Sequence, residues 1–288
     1  MKISALMLGL VLAPLLPLAA QVAVEVTLEQ EQFLAGETLP AAVRVTNRSG
    51  QTVRLGSDPD WLTFSVESRS GFIVVKGEEV PVLGEFTVES GQVATRQVDL
   101  APHFTLTRPG RYQIVATVRI KEWDVQINSK PKSFDIINGA KLWSQEFGLP
   151  IAAGATNHSP EVRRYTLEQA NYLRSQLRLY FRLTDDSESK VIKVFAIGPM
   201  VSFGNPETQI DKLSNLHVLY QTGARAFNYT VINPDGDLLV RQTYDYLEAR
   251  PRLKAEEDSK IVVTGGQRRL TANDLPTISE DDAKPDKP

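Results

Sequence analysis

Side chains that could do chemistry are sparse in this chain and gather in one stretch, Leu216–Gln242, LHVLYQTGARAFNYTVINPDGDLLVRQ. It holds His217, one of 3 histidines, together with Asn228, Thr230 and Arg241. A histidine works as a general base only where the fold sets a partner beside it, and spacing alone supplies none for His217. His103 and His158 fall in expected loops far apart in the chain, so no three-histidine metal centre is indicated. Asn233-Pro-Asp235-Gly236-Asp237 alternates oxygen ligands as a calcium loop does, but lacks the distal glutamate. Proline second and glycine fourth suit a type I turn, and that is the reading preferred. No serine sits in a Gly-x-Ser-x-Gly elbow, and no glycine run cradles a phosphate. The chain has no cysteine, which excludes thiol nucleophiles, thiolate metal sites and disulfides. No catalytic residue, metal or cofactor is assigned.

The elements that must position these side chains are strands. Four-residue loops at Thr222–Arg225 and Asn233–Gly236 would place Tyr220 opposite Phe227, Val218 opposite Tyr229 and Leu216 opposite Val231. They would also set Val231 opposite Leu238 and Tyr229 opposite Val240, giving one consistent three-stranded meander. One face is then apolar and aromatic. The other carries His217, Asn228, Thr230 and Arg241, the candidate binding face, which either is used or simply meets solvent or the other domain.

Around this meander the chain is read as all-β: an immunoglobulin-like β-sandwich, then a second antiparallel β-rich domain with at most one or two short helices. Residues 1–20 read as a signal peptide, with Lys2 before an apolar run and small residues near Ala20. Residues 21–138 form the sandwich. Val22, Val24, Val26 and Leu28 alternate with polar residues, as do Tyr112, Ile114, Ala116, Val118 and Ile120 after the turn Pro109-Gly110. Further short strands are expected near Phe72–Val75, Glu85–Val88 and Val93–Leu100, and a last one near Val125–Ile127 or Ser133–Ile136. Residues 139–160 are Gly/Ala/Asn/Pro-rich and read as the linker. In residues 161–269, Thr166 and Gln169 suggest a capping box before a short helix or turn. Asn205-Pro206 suggests one helical turn or a loop. The stretches Arg250–Asp258 and Lys260–Gly266 are expected to form a final hairpin, and residues 270–288 a disordered acidic tail.

FLAGETLPAAVRVTNRSGQTVRL followed by LTRPGRYQIVATVRI resembles the bacterial immunoglobulin-like and macroglobulin-type sandwiches of exported proteins. Tyr112 stands where such domains often carry a corner tyrosine. The resemblance covers about residues 22–138. It implies a fold and transfers no activity, since the cysteines of antibody domains and of a macroglobulin thioester are absent.

Charge argues against some partners. The net charge is −3, and residues 161–269 carry only a small positive excess, so nucleic acid and anionic membrane surfaces are not expected partners. No stretch after the expected signal is apolar enough to cross a bilayer. The sequence therefore points to an exported, periplasmic or secreted, non-enzymatic binding or assembly protein of the bacterial cell envelope, meeting an envelope protein or glycan. The alternative is a carbohydrate-active or other hydrolase with its site between the two domains, using His217.

Overall fold

The computed structural model describes residues 21–149, 161–257 and 260–276. The expected signal peptide, residues 150–160 of the expected linker with His158, and residues 277–288 of the expected tail lie outside these. In chain order the first strands are β1 Val22–Leu28, β2 Gln32–Leu34, β3 Pro40–Asn47, β4 Val53–Leu55, β5 Leu62–Ser68, β6 Phe86–Val88 and β7 Val93–Asp99. Then come β8 Gly110–Ile120, β9 Val125–Asn128, β10 Lys132–Ile137, β11 Ala140–Gly148, β12 Val162–Tyr172, β13 Gln176–Asp185 and β14 Val191–Pro199. The last are β15 Glu207–Ile210, β16 Leu216–Gln221, β17 Ala226–Ile232, β18 Leu238–Asp245, β19 Arg252–Ala255, β20 Ile261–Thr264 and β21 Gln267–Arg269. Among the described residues two 3-10 turns interrupt the strands and no α-helix occurs. The protein is all-β, built from several mainly antiparallel sheets.

Contacts divide the chain into two compact units: one of residues 21–29, 39–105 and 112–133, the other of residues 30–38, 106–111 and the described residues from 134 on. In the first unit β3 lies between β1 and β7, β8 pairs with β5 and β9, and β4 pairs with β6. Alternation drives these pairings. Val22, Val24 and Val26 of β1 are buried while their neighbours are exposed, and Tyr112, Ile114, Ala116, Val118 and Ile120 form the buried side of β8. The strand expected at Phe72–Val75 is not formed: that segment is irregular, with Ile73 and Val75 exposed. Only its end is paired, through an isolated bridge of Lys76 to Phe104 with Val75 accepting from the Thr105 N–H, and β-branched residues alone do not extend that into a ladder.

The second unit contains the sheet β11-β12-β13-β14 and the sheet β15-β16-β17-β18-β21. Tyr165, Leu167, Leu179 and Phe181 of the first join Leu216, Val218, Tyr220 and Ile232 of the second in one core. Each such side chain contributes roughly 1.5–3 kcal/mol by leaving water. The outer faces are covered too. Ala170, Tyr180 and Val194 pack on Leu34 of β2, which pairs in parallel with β10. Leu219, Phe227, Tyr229 and Val231 pack on Leu253 and Val263 of the hairpin β19–β20.

Burial on both faces explains where pattern reading fails. Thr166–Leu173, expected as a helix or turn, belongs to β12 through Tyr172. Tyr165 and Leu167 face one core and Ala170 the other, so apolar residues occupy both parities and imitate a helical stripe. Glu207–Ile210, expected as helical turn or loop, is the edge strand β15. Residues 140–148, placed in the linker, form β11 at the edge of its sheet. Phe147 is its one buried residue, stacked on Tyr165 at 3.9 Å, so there was little alternation to read. Within the expected tail, Leu275 bridges to Arg241.

The β12–β13 hairpin closes against backbone preference. Tyr172 pairs with Gln176, and the intervening Leu173 and Arg174 have φ of 48° and 60°. Left-handed residues fit the twist of a tight hairpin, yet the position favours Asn and Gly. Replacing Leu173→Asn together with Arg174→Gly is expected to raise stability by about 1–2 kcal/mol. Urea unfolding measures this, and an unchanged or lower midpoint would refute the strain.

Candidate functional site

The observed register decides which side chains meet. Gln221 pairs with Phe227, so Leu216 stands opposite Ile232 and His217 opposite Val231. This is one residue away from the expected pairing, and a one-residue slip turns a strand over. His217 therefore leaves the face on which it was expected. Asn228, Thr230 and Arg241 stay together, because β17 and β18 shift by two residues, Val231 lying opposite Val240. One residue of the shift comes from the loop, which leaves Leu238 opposite Ile232, and the second from the bulge between Val231 and Ile232, so parity is kept. The expected face of His217, Asn228, Thr230 and Arg241 is thus corrected: three residues share one face and His217 lies on the other.

That face changes character along its rows. Leu216, Ile232 and Leu238 make an apolar row in the core. Next come Val218, Thr230 and Arg241, and then Tyr220, Asn228, Thr243 and Arg269 directly opposite one another across four strands. Over these last rows lies a cleft of about 480 Å³. Asn228, Arg241, Thr243 and Arg269 line it from the sheet. Ile197, Gly198 and Pro199 at the end of β14 form one wall, with Thr222 from the hairpin loop. Thr271 and Asn273 form a lip.

The lip is held by the segment after β21. Arg268 pairs with Asp274, Thr271 Oγ1 donates to Asp274 Oδ1 at 2.7 Å, and Leu275 exchanges two backbone hydrogen bonds with Arg241. Burial pushes the Asp274 carboxyl up, but Arg268 and Thr271 outweigh it and hold the group below the usual carboxylate value. Gly198 is required at its position: a Cβ there would meet the Tyr220 hydroxyl at 2.7 Å. That hydroxyl accepts a long hydrogen bond, 3.4 Å, from Asn228 Nδ2, and Thr243 Oγ1 donates to Asn228 Oδ1 at 3.3 Å.

Charge in the cleft is unbalanced. Arg241 is half-buried, makes no side-chain hydrogen bond or ion pair among the described residues, and its Nε is shut off from solvent without a partner. Arg269 pairs with Asp245 at 3.1 Å. Among the described residues, no carboxylate lines the cleft. An unpaired guanidinium with a desolvated N–H is costly, and a bound anion offsets that cost with charge-assisted hydrogen bonds. Thr230, opposite Arg241, is fully buried with its hydroxyl unpaired.

On the opposite face His217 is spent. Its Nδ1 lies 2.7 Å from the Tyr229 hydroxyl and its Nε2 3.2 Å from Asp211 Oδ2, and the residue is only 7% exposed. Burial, then the charges of Tyr244 and Asp211, push the Tyr229 hydroxyl up to about 12, so it remains a donor. Burial raises the Asp211 carboxyl, but Asn215, His217 and the backbone N–H groups of Asn215 and Leu213 outweigh it and hold it low. One neutral tautomer, Nε2–H donating to Asp211 and Nδ1 accepting from Tyr229, satisfies all three groups. The arrangement ties the loop after β15 to β16 and β17.

The oxygens that hinted at calcium are used in holding a turn. Asn233 Oδ1 accepts from the N–H groups of Asp235 and Asp237, and Gly236 bonds back to Asn233 at φ +80°. Arg163 and Lys193 pair with Asp235 and Asp237. Sequence reasoning missed Asp211 as the partner of His217, and Arg269, Thr271 and Asn273 as cleft residues. Arg269 was recoverable only through a strand pairing that three residues cannot announce.

No family model matches this chain, and no curated protein matches it. Among solved structures, the sporulation control protein Spo0M from Bacillus subtilis is similar at 10% identity, covering 62% of this chain and 91% of that one, with a TM-score of 0.31. A superposition this loose carries no argument about fold or function.

Two outcomes follow from these polar groups. Thr230→Val, which removes an unpaired buried hydroxyl at nearly constant volume, is expected to stabilise by about 1 kcal/mol in chemical unfolding; destabilisation would show that the hydroxyl has a partner. Asp211 has a depressed folded pKa, so its contribution is full above its ordinary value near 3.8 and is lost as pH falls through the lower folded value. Asp211→Asn should therefore lower stability at pH 7, with the gap to wild type narrowing below about pH 4. A gap constant with pH would contradict the assignment.

Proposed function

We propose that this chain is an exported, non-enzymatic binding or assembly protein of the bacterial cell envelope, and that the cleft over β17 and β18 is where it meets its ligand. In this reading the first unit is an immunoglobulin-like sandwich module and the second carries recognition. The observation that supports it is Arg241, a half-buried cation without a partner among the described residues, set in a cleft that none of their carboxylates lines. A structural arginine at such a position is normally paired, because desolvating an unpaired charge costs on the order of several kcal/mol. A cleft of about 480 Å³ with a few convergent polar groups has the size of small-ligand sites. The hydrolytic alternative draws no support from His217, whose two ring nitrogens are both engaged.

Crosslinking in the native envelope fraction tests this. Wild type is expected to yield a defined protein or glycan adduct, and Arg241→Glu, with an unchanged melting curve, is expected to lose it. Equal recovery with Arg241→Glu would remove the cleft from recognition. Turnover of an envelope polymer, abolished by His217→Ala, would favour the hydrolase.

A further inference from the structure

We infer that the group bound in this cleft is a hydroxylated carboxylate, a uronic acid residue of an acidic glycan. The inference rests on the reading of the cleft as the recognition site and specifies its ligand. The first consideration is charge. Arg241 supplies one guanidinium without a counter-charge among the described residues, while Arg269 is already paired with Asp245. One free planar fork matches one carboxylate in a bidentate arrangement. A phosphate dianion calls for more: several convergent backbone N–H groups, a helix N-terminus or a second free cation. Among the described residues no lysine lines the cleft and no α-helix occurs, and the N–H of Arg241 is taken by Leu275.

Hydrogen-bond direction is the second consideration. Thr243 spends its proton on Asn228 Oδ1, and Thr271 spends its proton on Asp274. Both hydroxyls therefore face the cleft as acceptors. Asn273 makes no side-chain hydrogen bond among the described residues and offers both a donor and an acceptor. A ligand that brought only a carboxylate would leave these acceptors unserved. One that sets several O–H groups beside its carboxylate serves the guanidinium and the acceptors together.

A peptide C-terminus fits less well. Strand addition would use the edge of β18, and that edge is already paired with β21 and with Leu275. Ile197 and Pro199 are the apolar lining residues, too little to seat a terminal side chain with discrimination.

Calorimetric titration of the full chain tests the inference, with trisaccharides of glucuronate, galacturonate and mannuronate, their methyl esters, and galactose 6-phosphate as probes. At least one acidic trisaccharide is expected to bind about tenfold or more tightly than its methyl ester, which keeps every hydroxyl and loses the charge. Arg241→Gln should abolish that preference and Arg241→Lys recover part of it. Asn273→Ala, at an exposed position that leaves the fold untouched, should weaken acid and ester by the same factor. Equal binding of acid and ester, tighter binding of the phosphate, or no binding of any acidic trisaccharide would overturn the ligand class. If the class fails while Arg241→Glu still abolishes the envelope adduct, the recognition site stands. If the adduct also survives Arg241→Glu, the cleft is not the site.

Discussion

The register of β16 on β17 is the constraint on which the rest of the second unit depends. Gln221 helps set it by folding its side chain back to donate to the carbonyls of Gly223 and Ala224, which fixes the path of the loop. Leu216, Val218 and Tyr220 then enter the core shared with the facing sheet, and Leu219 meets the β19–β20 hairpin on the other side. A slip of one residue would drive His217 into an apolar core and carry Tyr220 away from Gly198, the residue that makes room for its hydroxyl. Because both faces are covered, a slipped register is penalised on each. The Asp211–His217–Tyr229 contacts add a polar lock in the same alignment.

The cleft follows from that alignment. Along one face of the sheet the opposed rows run from wholly apolar to polar, and the polar rows lie where the covering strand β14 ends at Pro199. The scaffold buries the first row tightly and leaves the last uncovered. Arg241 sits at the crossover, with its Nε on the dry side. A charge held in this way polarises weakly solvated space, where an ion pair is worth more than it would be at an open surface.

Much of the fold was legible where strands have one wet face. The alternation of β1 and β8 in the first unit is plain in the sequence, as are the hairpin β19–β20 and the turn at Asn233–Gly236. It was not legible in β12 and β16, where five consecutive residues of β16 are buried and alternation carries no information about direction. Asn228, Thr230 and Arg241 were found together because an error of two residues preserves parity, whereas the error of one at β16 misplaced His217. The difference lay in a single residue of register at the loop after Gln221, and the residue types of a loop do not give its pairing. The lip residues belonged to a polar, acidic stretch whose composition suggested disorder, yet Asp274 is buried against Arg268.

The lip also orders events in time. Thr271, Asn273 and Leu275 complete the cleft from the last part of the described chain, while its floor comes from β17 and β18, roughly thirty residues earlier. During synthesis the floor emerges first, with the edge of β18 still bare and Arg241 open on that side. The cleft is thus incomplete until the segment through Leu275 has docked on β18, and a chain ending before it would carry the cation without the lip.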